Sequence, residues 1–214
     1  MNIDVAIIDY GIGNIFSVRR ALEYCGAKVS VSNDPGILLA APRLVLPGVG
    51  AFADGMRGLK KRGLDNVILE YVQSGKSLLG ICLGMQMFAT SSEEFGEHAG
   101  LNVIPGRVIP IPNKTVKGDF HKIPYVGWAG LEYPERLMRW DNSILSEVCP
   151  ADSVYFLHSF EFKPYNTKNR LADYKYDGRL INAAVRKDNV FGTQFHPEKS
   201  GRVGLKILNR FLSL

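Results

Sequence analysis

Over residues 1–90, short apolar runs alternate with stretches in which apolar residues recur every three or four positions. Residues 3–11 (IDVAIIDYG) read as a strand ending at a glycine turn. Residues 14–26 then carry Ile15, Val18, Ala21, Leu22 and Cys25 at helical spacing, stopped by Gly26. Residues 28–32 and 43–50 read as the second and third strands, the third ending in a Pro-Gly loop. A helix is predicted over 63–75, closed by Gly75, then a buried strand over 76–81 and a helix starting at Leu83. Such alternation argues for βαβ units and a largely parallel sheet.

After about residue 100 the pattern changes. Residues 101–113, 122–128, 153–162 and 170–195 read as short strands with turns at Pro, Asn-Lys, Asp-Gly and Asp-Asn. Residues 200–214 read as an amphipathic helix. The expected architecture is one α/β domain over 1–214: a twisted, mostly parallel sheet with helices on both faces, plus an antiparallel extension from the second half.

Composition narrows the function classes. Hydrophobic residues make up 46% and charged ones 22%, ordinary for a globular protein. No apolar stretch reaches the roughly 18 residues that a membrane span needs. The start, MNIDVAIIDYG, lacks a positive region and a cleavage site, and reads as a strand instead of a signal peptide. Cys25, Cys82 and Cys149 are far apart and odd in number, with neither a disulfide framework nor metal-ligand spacing. No metal or cofactor is expected, and a reducing cytoplasm is the simplest setting. The net charge of +5 comes without a basic block, which fits a solvated surface or a protein partner better than nucleic acid.

Two apparent nucleotide motifs fail on inspection. The run DYGIGNIF follows the first strand, but a dinucleotide fingerprint needs glycine where Phe16 stands. The run SGKS resembles the end of a phosphate-binding loop, but Glu70 occupies the place of its first glycine, and the Lys-Ser pair precedes a strand instead of following one.

Gly80-Ile81-Cys82-Leu83-Gly84 has the form G-x-C-x-G between a buried strand and a helix. That is the cysteine counterpart of the G-x-S-x-G nucleophile elbow. A sharp strand-to-helix turn strains the backbone, and flanking side chains would collide with neighbouring elements. The helix N-terminus would favour a thiolate, and the Leu83 N–H could face an oxyanion. A buried thiol among small residues would look the same at this length.

A cysteine nucleophile needs a base, and the base an orienting group. Of four histidines, His98 sits in a polar loop, His121 in a Lys-flanked segment, and His158 in the aromatic strand VYFLHSFEF. His196 follows an apolar run and begins His-Pro-Glu. In an extended segment His196 and Glu198 would share a face, leaving one imidazole nitrogen for Cys82. A solvated turn after an edge strand is the plainer alternative. Gly48 and Gly50, in LPGVG at the end of a predicted parallel strand, leave backbone amides open to a ligand, where open α/β sheets bind theirs.

Taken together and in order, IIDYGIGNIFSV, LPGVGAFADGM, GICLGMQMF with SSEEFG, KIPYVGW, YFLHSF and GTQFHPEKSGRVGLKIL resemble the class I (triad) glutamine amidotransferases over nearly the whole chain. The resemblance is closest to the glutaminase subunits of histidine biosynthesis. It implies that Cys82 attacks the amide of L-glutamine, that His196, held by Glu198, moves the proton, and that a γ-glutamyl thioester forms and is hydrolysed. It implies oxyanion donors at Val49 and Leu83, with a peptide flip in PGVG, and glutamine contacts at Gly50, Gln86, His158, Ser159 and Phe160. It implies a (β/α)8 barrel cyclase partner in a heterodimer, to which ammonia is channelled, with Asn14, Trp128, Tyr155 and Lys199 near that interface.

One segment departs from the family pattern. The usual Pro-His-x-Gly-Trp-Asn is here Pro124-Tyr125-Val126-Gly127-Trp128-Ala129. The triad is untouched, but the destination of the ammonia is left open between histidine synthesis and a paralogous synthase, such as one making an amidino sugar for surface polysaccharide. A γ-glutamyl peptidase of the same fold and an inactive scaffold are the remaining alternatives.

Overall fold

The computed structural model describes residues 3–135 and 139–214. Its elements run β1 (Val5–Ile8), α1 (Ile15–Tyr24), β2 (Val29–Ser32), α2 (Pro35–Ala40), β3 (Arg43–Gly48), α3 (Phe52–Lys61), α4 (Leu64–Gln73), β4 (Ser77–Cys82) and α5 (Leu83–Gln86). There follow β5 (Ser91–Ser92), β6 (His98–Ala99), β7 (Gly106–Pro110), β8 (Tyr125–Gly130), β9 (Ser153–His158), β10 (Phe160–Pro164), β11 (Arg170–Tyr176), β12 (Arg179–Lys187), β13 (Val190–Thr193) and α6 (Gly201–Leu212).

The main sheet has seven strands in the order β11-β12-β13-β4-β3-β1-β2. From β13 to β2 every neighbouring pair is parallel, while β11 and β12 add an antiparallel edge, as the change of pattern predicted. Central strands covered on both faces read as unbroken apolar runs. The pleat divides their side chains. Val5 and Ile7 enter a core with Val18 and Leu22 of α1 and Ile207, Leu208 and Phe211 of α6. Ala6 and Ile8 enter a second core with Leu38 of α2, Met56 and Leu59 of α3, and Ile68 and Tyr71 of α4. Helices therefore cover both faces. Two smaller sheets, β10-β7-β5-β6 and the pair β8-β9, complete the second half.

Turn chemistry sets the antiparallel edge. Tyr176 pairs with Arg179 across Asp177-Gly178, whose φ values of +47° and +84° suit a two-residue hairpin.

Several expectations change. Helices α2 and α3 were not predicted. In α3 the glycines look like breakers, but they serve close packing: a Cβ on Gly58 would lie 3.0 Å from the Tyr10 ring, and one on Gly55 2.8 Å from Met87 Sδ. The helix after Cys82 is a single turn, α5, before the chain folds back into β5. The run 153–162 is two strands, broken at Ser159 and shared between two sheets.

Candidate active site

The parallel register brings three strand ends together. Gly48 of β3 pairs with Cys82 of β4, and Thr193 of β13 with Ile81. The residues that follow, Val49-Gly50, Leu83 and Gln194 to His196, converge at the carboxyl edge of the sheet, where α/β folds place their ligands.

Cys82 ends β4 and caps α5 with φ +54° and ψ −111°, a left-handed conformation that a non-glycine residue adopts at a cost. The flanking glycines admit no side chain. A Cβ on Gly80 would meet the Phe88 ring at 2.5 Å, and one on Gly84 the Leu46 carbonyl oxygen at 1.9 Å. The sharp turn thus depends on both glycines, as the motif predicted.

His196 Nδ1 lies 2.8 Å from Glu198 Oε1, with both side chains almost fully buried. Burial alone would lower the imidazole's pKa, but the neighbouring Cys82 thiol and the hydrogen-bonded Glu198 carboxylate outweigh it and push the value up to about 10. The imidazolium beside the thiol is the setting that activates a cysteine nucleophile. The route to this pairing differs from the expectation. His196 ends the extended segment (φ −100°, ψ 98°), and Pro197–Lys199 form a 3-10 turn, so Glu198 folds back onto His196 instead of sharing a strand face with it. The turn is anchored: His196 N–H donates to the Tyr155 carbonyl at 2.9 Å, and Ser200 Oγ donates to the His196 carbonyl while accepting from Tyr155 N–H.

Val49 and Leu83 lie on the two segments that flank Cys82. A Cβ on Gly48 would come within 2.8 Å of Leu83 Cβ, Gly84 N and the Tyr10 hydroxyl oxygen, so this strand end packs directly on the elbow. The buried Tyr10 hydroxyl donates to the Pro47 carbonyl at 2.8 Å, and burial first, then the Cys82 charge, pushes its ionisation far above the usual range. Gly50 is exposed with φ +90°.

The other residues expected to contact glutamine form an internal network. Gln86 Nε2 donates to the Phe160 carbonyl at 3.3 Å and to Gln194 Oε1 at 2.9 Å. His158 bridges Phe160 O, 2.8 Å from Nδ1, and the Tyr174 hydroxyl, 2.9 Å from Nε2. A carbonyl only accepts, so Nδ1 carries the proton and Nε2 accepts from Tyr174. Burial pushes His158 down to about 4 and keeps it neutral. Ser159 lies at the break between β9 and β10, and its carbonyl accepts from Ile111 N–H.

Of the expected interface residues, Trp128, Tyr155 and Lys199 form one cluster. The two rings meet edge-on at 6.0 Å, and the Lys199 ammonium stands 5.9 Å from the Tyr155 ring centre. Asn14 lies apart as the N-cap of α1, accepting from Ser17 N–H, although α1 itself packs beside the 197–199 turn. Tyr125, at the departed position, packs against Tyr174, Tyr176 and Phe156. The sequence reading missed Tyr10, Tyr174 and Gln194. Gln194 was the legible one: it stands two residues before His196 in an extended segment, hence on the same face. A cavity of about 420 Å³ lies elsewhere, beside the Arg170–Asp173 ion pair, and holds none of these residues.

The family model described as glutamine amidotransferase class-I matches residues 6–213, a span that includes Cys82, His196, Glu198 and the Pro-Gly loop. The chain belongs to the class I glutamine amidotransferases. This amidotransferase is 49% identical over 210 residues to imidazole glycerol phosphate synthase subunit HisH 1 of Legionella pneumophila (strain Paris), covering 98% of this chain and 99% of that one. It is 45% identical over 208 residues to the HisH subunit of Syntrophotalea carbinolica, covering 97% and 98%. Among solved structures, a glutamine amidotransferase superposes with a TM-score of 0.72 at 18% identity, over 98% of this chain and 99% of that one. PurLQS from Thermotoga maritima superposes with a TM-score of 0.68 at 19% identity, over 98% and 97%. At those identities the likeness concerns the fold.

Proposed function

We propose that the chain is the glutaminase subunit of an imidazole glycerol phosphate synthase, releasing ammonia from L-glutamine for a barrel cyclase of histidine biosynthesis. The observation that carries the chemistry is the strained Cys82 elbow beside a His196 whose Nδ1 is held 2.8 Å from Glu198 Oε1. The Cys82 thiolate attacks the carboxamide carbon, and the N–H groups of Val49 and Leu83 receive the oxyanion. His196 gives its proton to the departing amine, so ammonia leaves and a γ-glutamyl thioester remains. Water then attacks the thioester while His196 takes its proton, releasing glutamate and restoring the thiolate. Gly50 and the backbone of Ser159 and Phe160 hold glutamine. Gln86 and His158 hold the Phe160 carbonyl in place for that task.

The partner reading rests on the β8-β9 pair. Val126 pairs with Leu157, and Trp128 with Tyr155, so these four side chains share one face. Val126, Trp128 and Leu157 are 49, 55 and 43% exposed, an apolar patch of the kind that marks a protein interface. That patch adjoins the triad through the hydrogen bond from His196 to Tyr155. A barrel seated there would lie beside the site where ammonia is formed.

Purified Cys82→Ser protein is expected to make no glutamate above background with the barrel partner and its nucleotide present; wild-type levels would overturn the mechanism. The wild-type gene is expected to restore growth of a histidine auxotroph that lacks this subunit. Failure despite intact, partner-stimulated glutaminase activity would assign the ammonia to another synthase.

A further inference from the structure

Gln194 is fully buried at the carboxyl end of β13, and its Nε2 lies 3.6 Å from Cys82 Sγ. A side-chain amide has two orientations, and the neighbours of this one decide between them. The Phe160 carbonyl can only accept, so the Gln86 atom 3.3 Å from it is the amide nitrogen. That nitrogen is also 2.9 Å from the Gln194 side chain, which must present its oxygen there. The Gln194 NH2 group is then left facing sulfur. The polarity of the chain from Phe160 through Gln86 and Gln194 to Cys82 is thus fixed from its far end by one backbone carbonyl.

Resting on the reading of Cys82 as nucleophile, we propose that Gln194 is a further catalytic residue, donating a hydrogen bond to the Cys82 thiolate alongside the imidazolium of His196. A donor on a charged acceptor favours the charged form and fixes where it points. When the carbon–sulfur bond forms, the sulfur loses its charge and the Gln194 bond weakens. When water cleaves the thioester, the charge and the bond return together. Gln86 takes part by holding the Gln194 oxygen, which leaves the amide no freedom to turn. The titratable groups around the sulfur are His196, with Glu198 behind it, and the hydroxyl of Tyr10.

The test is the pH dependence of Cys82 alkylation by iodoacetamide, read from the adduct on the Cys82 peptide, which needs no turnover. Gln194→Met keeps the length and removes the donor. Gln194→Leu removes the donor with a smaller apolar side chain and adds no charge, so it preserves the test if the methionine variant does not fold. Each folded variant is expected to move the apparent midpoint of the alkylation curve up by about one pH unit or more. Each is also expected to lower glutaminase kcat about tenfold, with KM changed by less than about threefold. A midpoint unmoved in a folded variant, whatever its activity, overturns the proposal and leaves Gln194 a packing residue. Loss of the nucleophile reading would instead appear as a Cys82→Ser protein that still turns over.

Discussion

His158 and His196 lie close enough for their charges to interact, yet they are held in opposite protonation states. His158, with its proton committed to the Phe160 carbonyl, is pushed down to about 4 chiefly by burial. His196, between a thiol and a carboxylate, is pushed up to about 10. An unfolded histidine titrates near 6.5. Between pH 6.5 and 4 the unfolded chain binds a proton at position 158 that the folded chain refuses, so stability falls with pH across that window. The full loss is on the order of 3 kcal/mol. At His196 the sign reverses: the stabilisation is complete below 6.5 and is lost as pH rises through 10. The two together place maximal stability near neutrality. Urea unfolding of wild type and His158→Gln at pH 7 and pH 4.5 checks the acid side. The variant should lose about 2 kcal/mol less than wild type between these values. Equal losses would assign the acid sensitivity to other groups.

The elbow shows the same residue type serving different ends within one element group. Gly84 is required by contact, since a Cβ there would sit 1.9 Å from the Leu46 carbonyl oxygen, whereas Gly50 has open space and φ +90°. Gly84→Ala should therefore yield no stable folded protein, a loss above about 4 kcal/mol. Gly50→Ala should fold and cost about 1–2 kcal/mol in backbone strain. Thermal melts of the two variants separate these outcomes. Much of this region is legible in the amino-acid pattern alone. VAII and LVLP announce central strands because both faces are buried, and G-x-C-x-G announces the elbow because only glycine tolerates such contact. What escapes the pattern is set by tertiary packing. Helix α3 is hidden by Gly55 and Gly58, whose reason is the approach of Met87 and Tyr10 from elsewhere in the chain. The fold-back of Glu198 depends on a 3-10 turn tied down by Ser200 and Tyr155, and no local period encodes that tie. The bond from Tyr10 to Pro47 joins residues 37 positions apart and leaves no pattern to read.

At the scale of the whole molecule, the β8-β9 pair divides its side chains by parity into a buried set and an exposed set. Phe156, Val154 and His158 point inward, with Phe156 stacked on Tyr174 at 4.3 Å and meeting Phe195 edge-on. Val126, Trp128, Tyr155 and Leu157 point outward. An inward truncation removes packing from the core that α1 and α6 share with the sheet, so Phe156→Ala should cost about 3–5 kcal/mol and lower the melting temperature sharply. An outward truncation removes little that the isolated chain uses. Trp128→Ala should leave its melting temperature within a few degrees of wild type. If the barrel cyclase docks on this face, the same substitution removes a large aromatic from the middle of the contact. It should then weaken association with that subunit by tenfold or more, as aromatic anchors at interface centres do. Melting curves of the isolated chain together with calorimetric titration of the barrel subunit test both halves. A Trp128→Ala chain that melts normally and binds as tightly as wild type would move the docking site off this strand pair, because no other change there removes more exposed apolar surface while sparing the core.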